Sequence, residues 1–204
     1  MGITQIRDPS LPKNLPPSYK KPIAIIGAGP ASISCATYLG RLGYDNVHIF
    51  EKSQVGGGIV SHEIPQNRAP ITDALWEVEL VKQLGVQVHY GKELGKDFSL
   101  EDLRQQGFES IFLGIGLQKP NMQVNDKQLH PSILKAQKAK NFSDSKNFLT
   151  KVFKSVKLDG KPKEAPQLKG HVLVLGIGDT ALDCARSAFR LGAERVSVAF
   201  RRGF

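Results

Sequence analysis

The chain has 204 residues, 40% of them hydrophobic, enough for one large or two small α/β domains with an adequate core. Its charge of +9 comes from 28 basic against 19 acidic residues, but twelve lysines lie scattered between Lys119 and Lys169 among Asp, Glu, Gln and Asn. That is the pattern of a solvated connecting face rather than of a nucleic-acid-binding surface. Two cysteines, Cys35 and Cys184, build neither a disulfide framework nor a CxxC metal site.

No apolar run approaches the ~20 residues of a membrane span, and the first residues are too polar for a signal peptide. The sequence therefore predicts a cytoplasmic protein with no membrane or nucleic-acid partner.

Residues 1–22 carry Pro9, Pro12, Pro16, Pro17 and Pro22 without periodicity and predict an extended leader. Ile23–Ile26 reads as a buried parallel strand, 30–42 as its crossover helix and 46–50 as a second strand, a complete βαβ unit. Between strand and helix stands Gly27-Ala28-Gly29-Pro30-Ala31-Ser32. In such a turn the first Gly makes the bend, the second lets backbone approach a pyrophosphate, and the third position must be small for helix and strand to pack. The phosphate then meets the free N–H groups and positive dipole end of the helix.

Gly56-Gly57-Gly58 follows the second strand, either a flexible loop or backbone laid against a flat ring or a phosphate. Helical spacing predicts a helix over 71–84, alternation a strand over 86–90, and a further helix spans 98–106. Ser110–Leu113 is a strand running into Gly114-Ile115-Gly116, either a glycine turn ending a core strand or a close backbone approach that would bring the sheet back to the nucleotide pocket. An amphipathic helix over 142–156 uses Phe148, Leu149, Val152, Phe153 and Val156, and 160–170 reads as a linker. A second βαβ unit closes the chain with 171–175, 179–191 and 195–200, after which the sequence stops at Phe204.

The second unit repeats the first. Gly176-Ile177-Gly178-Asp179-Thr180-Ala181 lies 149 positions after the first fingerprint, and the same offset superposes Cys35 on Cys184 and Arg41-Leu42-Gly43 on Arg190-Leu191-Gly192. The copies differ at the end of their second strands. The first ends in Glu51, whose carboxylate can accept both hydroxyls of an adenosine ribose, as FAD or NAD requires. The second has Phe200 there, followed by Arg201 and Arg202, which suit the 2′-phosphate of NADP unless they are simply a solvated strand end. Asp179 at the helix start is either a capping residue or a ligand. Arg68, after the Glu63-Ile64-Pro65 turn, is either a solvated loop cation or a partner for negative charge on a flavin or phosphate.

The predicted fold is α/β, with two Rossmann-like, doubly wound, three-layer nucleotide-binding domains of the FAD/NAD(P)-linked reductase type. They cover 23–119 and 120–204 behind the 1–22 leader, the second being truncated. No residue is assigned a catalytic or metal-ligating role. Hydride transfer between nicotinamide and flavin needs proximity and orientation rather than an acid–base pair, so His62 and Glu63 receive none.

The strings "GAGPASISCATYLGRLGY", "IFEK", "EIPQNR", "FLGIGL", "GDTALDCARSAFRLGA" and "FRRGF" closely resemble the dihydropyrimidine dehydrogenase family, NADPH-dependent enzymes that reduce uracil and thymine in pyrimidine catabolism. The glycine patterns alone are shared with related flavin modules such as the small subunit of glutamate synthase. The resemblance covers nearly all of this chain but only the middle of the family's N-terminal half. It implies that NADPH gives hydride to FAD here. FMN, 4Fe-4S clusters and the uracil or thymine site would lie on further parts of a homodimeric parent protein.

Position by position, the resemblance implies Gly27, Ala28, Gly29, Pro30 and Ala31 at the FAD pyrophosphate and Glu51 at its ribose. Ile59, Arg68 and Leu94 would be further FAD contacts. It implies Ile177, Gly178, Asp179 and Thr180 at NADPH, with Arg201 and Arg202 at the 2′-phosphate. Ile177 stands where the family usually has Ala, which leaves a main-chain contact. The alternative functions are a dinucleotide-binding fragment without catalysis and the flavin module of a reductase resembling the small subunit of glutamate synthase.

Overall fold

Strand β1 (Ile23–Ile26) points Ile23 and Ile25 to one face of a sheet and Ala24 and Ile26 to the other, and all but Ile23 are buried. A strand apolar on both faces belongs in the middle of a parallel sheet covered by helices. In the computed structural model β1 is flanked by β2 (Val47–Glu51) and β4 (Ser110–Leu113), with β3 (Gln87–Tyr90) outside β2. The order is β3-β2-β1-β4 and every pairing is parallel. The structure describes residues 10–11, 14–117, 135, 138–139, 141–155 and 166–200.

Helices α1 (Pro30–Arg41) and α2 (Ile71–Gln83) cover one face, where Ile25, Ala28, Ile33, Ala36, Val47, Ile49, Val78 and Val81 form a buried cluster. Helix α3 (Leu100–Gln105) lies with the other face, where Ala24, Ile26, Leu103 and Phe108 are buried together. Each fully buried Ile or Val stabilises by roughly 1.5–3 kcal/mol relative to exposure, an upper bound because the unfolded chain is itself partly collapsed.

The chain divides into two compact units, 1–61 with 69–116, and 62–68 with 117–204. The second contains helix α4 (Ser145–Ser155) and a parallel pair, β5 (His171–Leu175) with β6 (Arg195–Ala199), joined by helix α5 (Asp179–Arg190). Linear order alone gave no reason to group 62–68 with the second unit.

Helix starts differ from expectation for identifiable reasons. Helix α3 begins at Leu100 rather than Phe98 because Ser99 and Asp102 close a capping box, while Phe98 bridges to Leu94. Helix α4 begins at Ser145 because Asp144 accepts from the Asn147 backbone N–H at 2.8 Å. Within the expected extended leader, Pro17–Lys20 forms one 3-10 turn and Tyr19 stacks on Tyr44 with ring centroids 4.2 Å apart. Most of the leader before Asn14 and all of the 156–165 stretch, including Val156 of the expected helix, lie outside the described residues.

Candidate dinucleotide-binding sites

The first fingerprint is held from three sides. Gly27 donates to the Phe50 carbonyl at 2.7 Å, and its φ of 92° lies in the left-handed region that glycine favours. A Cβ at Gly27 would stand 2.7 Å from the Gly114 carbonyl oxygen at the end of β4. Ala28 donates its N–H to Glu51 Oε2 at 2.7 Å and accepts from the Gly57 N–H at 2.7 Å. The other Glu51 oxygen accepts from the Ser53 N–H at 2.8 Å, and the residue is buried. Glu51, the glycine loop and the fingerprint thus form one hydrogen-bonded cradle, and sequence reasoning had found its parts without these links.

Gly29 and Gly58 meet backbone to backbone, since a Cβ on Gly58 would lie 2.8 Å from the Gly29 Cα. Side chains here would fill the space between the two backbones. Helix α1 begins at Gly29 with no side-chain cap and with Pro30 in its first turn, whose fixed φ suits that position. Its first N–H groups are therefore offered to an external acceptor. Ser32, the small third position, is fully buried, and its Oγ has no hydrogen-bond partner. A Cβ on Gly114 would collide with that Oγ, so a strand–helix contact this close requires glycine. Ile59 is 52% exposed in the turn Gly58–Ser61, whereas Leu94 packs against the cluster around Leu103 and Phe108.

The second fingerprint repeats two backbone hydrogen bonds of the first. Gly176, with φ 115°, donates to the Ala199 carbonyl at 2.8 Å, matching Gly27 to Phe50. Leu182 donates to Gly178 at 3.0 Å, matching Ile33 to Gly29. Helix α5 likewise begins at a glycine without a side-chain cap, and nothing lies within 4 Å of a Cβ built on Gly178. Ile177, Gly178, Asp179 and Thr180 are all exposed. Phe200, which stands where Glu51 stood, has no side-chain acceptor to fold back on the turn. Arg201 and Arg202 lie outside the described residues.

Arg68 belongs to the second unit, where its Nη1 lies 3.0 Å from Asp183 Oδ2 and its Nη2 3.6 Å from Asp179 Oδ1. Nearby, Arg190 donates to Asn67 Oδ1 at 3.0 Å and Lys146 pairs with Glu63 at 3.4 Å. A cleft of about 330 Å³ in this unit is lined by Pro65, Leu149, Val152, Phe153 and Arg190, among others. It contains no fingerprint residue.

Cys184 is buried, and its thiol is pushed up to about 11 by that burial, with the Asp183 and Asp144 carboxylates adding to it. Burial also raises Cys35. Among the described residues no group of three or more His, Cys, Asp or Glu side chains is placed to hold a metal ion. Among them, too, no helix is long and apolar enough to cross a membrane.

A parallel sheet with glycine turns opening two uncapped helices defines a reductase-type dinucleotide-binding α/β protein. The chain belongs to the pyridine nucleotide-disulphide oxidoreductase family, whose description matches residues 21–203. It is 33% identical over 184 residues to YgfK of Escherichia coli (strain K12), covering 90% of this chain and 16% of that protein. It is 32% identical over 189 residues to the NADPH-Fe(3+) oxidoreductase subunit beta of Geobacter sulfurreducens, covering 91% of this chain and 26% of that one. The chain thus spans about a sixth of the first relative's length and about a quarter of the second's. In fold it is similar to Mycobacterium tuberculosis FprA, solved in complex with NADPH, with a TM-score of 0.65 at 16% identity over 90% of this chain and 44% of the other.

Proposed function

We propose that the chain is an FAD- and NADPH-binding electron-input module, in which hydride passes from NADPH to FAD. The observation that carries this reading is the doubled glycine turn with unlike strand ends, Glu51 after the first and Arg201-Arg202 after the second. In the first copy Gly27, Ala28, Gly29, Pro30 and Ala31 would receive the FAD pyrophosphate and Glu51 the ribose, with Ile59 and Leu94 as further contacts. In the second, Ile177, Gly178 and Asp179 would act through main chain and Thr180 through its hydroxyl. Bound FAD supplies a two-electron acceptor, so that transfer of hydride leaves NADP+ and reduced flavin. The open backbone at Gly29 and Gly58 and the uncapped starts of α1 and α5 fit these groups.

The longer strings, from "EIPQNR" to "FRRGF", support a finer proposal, that the module serves a dihydropyrimidine dehydrogenase-like reduction of uracil or thymine. The further cofactors, the pyrimidine site and a homodimer would then belong to other parts of a longer protein. The Geobacter relative's name supports NADPH as electron source but names ferric iron as acceptor.

The test is to purify the chain with FAD, record its visible spectrum, and add NADPH and NADH in turn without oxygen. Bleaching near 450 nm by NADPH in preference to NADH is the expected result, and Arg201→Ala with Arg202→Ala should abolish the preference. A chain that binds the nucleotides but is not bleached would be a binding module alone.

A further inference from the structure

We infer that Arg68 is a positioning residue for the nicotinamide nucleotide, acting by neutralising two carboxylates at the start of α5. The inference rests on the reading that the second fingerprint binds NADPH. Asp179 and Asp183 are four residues apart and so share one face of α5. Asp179 is in the first turn, beside the N–H groups that a pyrophosphate would use, and its side chain is 84% exposed. Asp183 is one turn further in, with its side chain only 9% exposed. A carboxylate so removed from water requires a cation, and Arg68 provides it at 3.0 Å.

The same guanidinium reaches Asp179 at 3.6 Å, so one cation serves both acids. Without it, two negative charges would face an incoming dianionic pyrophosphate at the helix end that should attract it. The segment 62–68 thus does more than connect. Its last residue sets the charge of the nucleotide turn.

The experiment measures the dissociation constant of NADP+, a non-reducing probe, by calorimetry on the FAD-loaded full chain. Flavin absorbance is recorded for every variant. Arg68→Met is expected to raise the constant on the order of tenfold at low salt, with the difference shrinking as ionic strength rises. Adding Asp183→Asn to Arg68→Met should restore most of the affinity, since the buried charge no longer needs an answer. Asp179→Asn alters an exposed side chain, so it reports even if Arg68→Met does not fold, and it should tighten binding about threefold.

An unchanged constant in Arg68→Met, no rescue by Asp183→Asn, or weaker binding by Asp179→Asn would each overturn the inference. Loss of flavin with unaltered NADP+ binding would also overturn it and place Arg68 at the flavin. A wild-type chain that binds no NADP+ would remove the functional reading and this inference together.

Discussion

The Glu51 carboxylate reaches from the end of β2 to the middle of the first glycine turn, where its Oε2 accepts the Ala28 N–H at 2.7 Å. Its Oε1 accepts the Ser53 N–H at 2.8 Å, so the residue shapes the turn through both oxygens. Ribose hydroxyls would use the lone pairs that remain. Glu51→Gln keeps the shape but offers one acceptor oxygen, leaving one of these N–H groups without its partner. A hydrogen bond to a charged group contributes about 1.5–3 kcal/mol. Urea unfolding should therefore show a loss of about 2 kcal/mol. FAD titration should show affinity falling on the order of tenfold or more. Unchanged FAD affinity would exclude Glu51 from the site.

Gly27 and Gly85 have almost the same φ, 92° and 91°, but different surroundings. A Cβ at Gly27 would press on the Gly114 carbonyl, whereas at Gly85 nothing lies within 4 Å. Gly85→Ala should thus report the left-handed backbone strain alone, about 1–2 kcal/mol. Gly27→Ala adds a clash with backbone that cannot rotate away, and should cost at least about twice as much. It should also empty the FAD site. Thermal melting of the two variants side by side separates strain from space.

Much of this was legible in the sequence because local pattern and fold agree. Apolar runs such as Ile23–Ile26, a glycine turn and a helix with Pro30 first specify a βαβ unit without distant help. The grouping of 62–68 was not legible, because it depends on Arg68 meeting Asp183, 115 positions away. The start of α3 was readable from Ser99 and Asp102, but Phe98, apolar and adjacent, extended the apparent periodicity. The clamp of Glu51 on Ala28 had a signal in the spacing that suggested a ribose ligand. Only three dimensions reveal that the same carboxylate also braces the turn.

His48 and His89 sit on neighbouring strands with Nδ1 and Nε2 3.0 Å apart. Asn46 donates its amide to the Lys20 carbonyl, which turns its Oδ1 toward His48 Nε2 at 2.8 Å. His48 therefore carries its proton on Nε2, and its Nδ1 accepts from His89. Burial lowers both histidines, with His89 lowering His48 further and Lys92 lowering His89 further. The unfolded chain then binds more protons, so stability is full above the ordinary histidine value of about 6.5 and falls as pH drops below it. The melting temperature should decline between about pH 7 and pH 5. Replacing both rings, His48→Phe with His89→Phe, should flatten that part of the curve, and an unaltered slope would assign the decline to other groups.

The family's name includes disulphide chemistry, but this chain's two cysteines are 149 positions apart and neither belongs to a CxxC pair. The thiolate is the reactive form, and with Cys184 at about 11 roughly one molecule in ten thousand carries it at neutral pH. Cys35 is raised as well. Electron flow should therefore bypass sulfur in this stretch of chain, running from nicotinamide to flavin. Cys184 should resist alkylation in the folded protein and react once urea exposes it. Cys35→Ala and Cys184→Ala should each leave the rate of flavin bleaching by NADPH within about twofold of the original. A large loss of bleaching in either variant, with flavin still bound, would show that sulfur takes part.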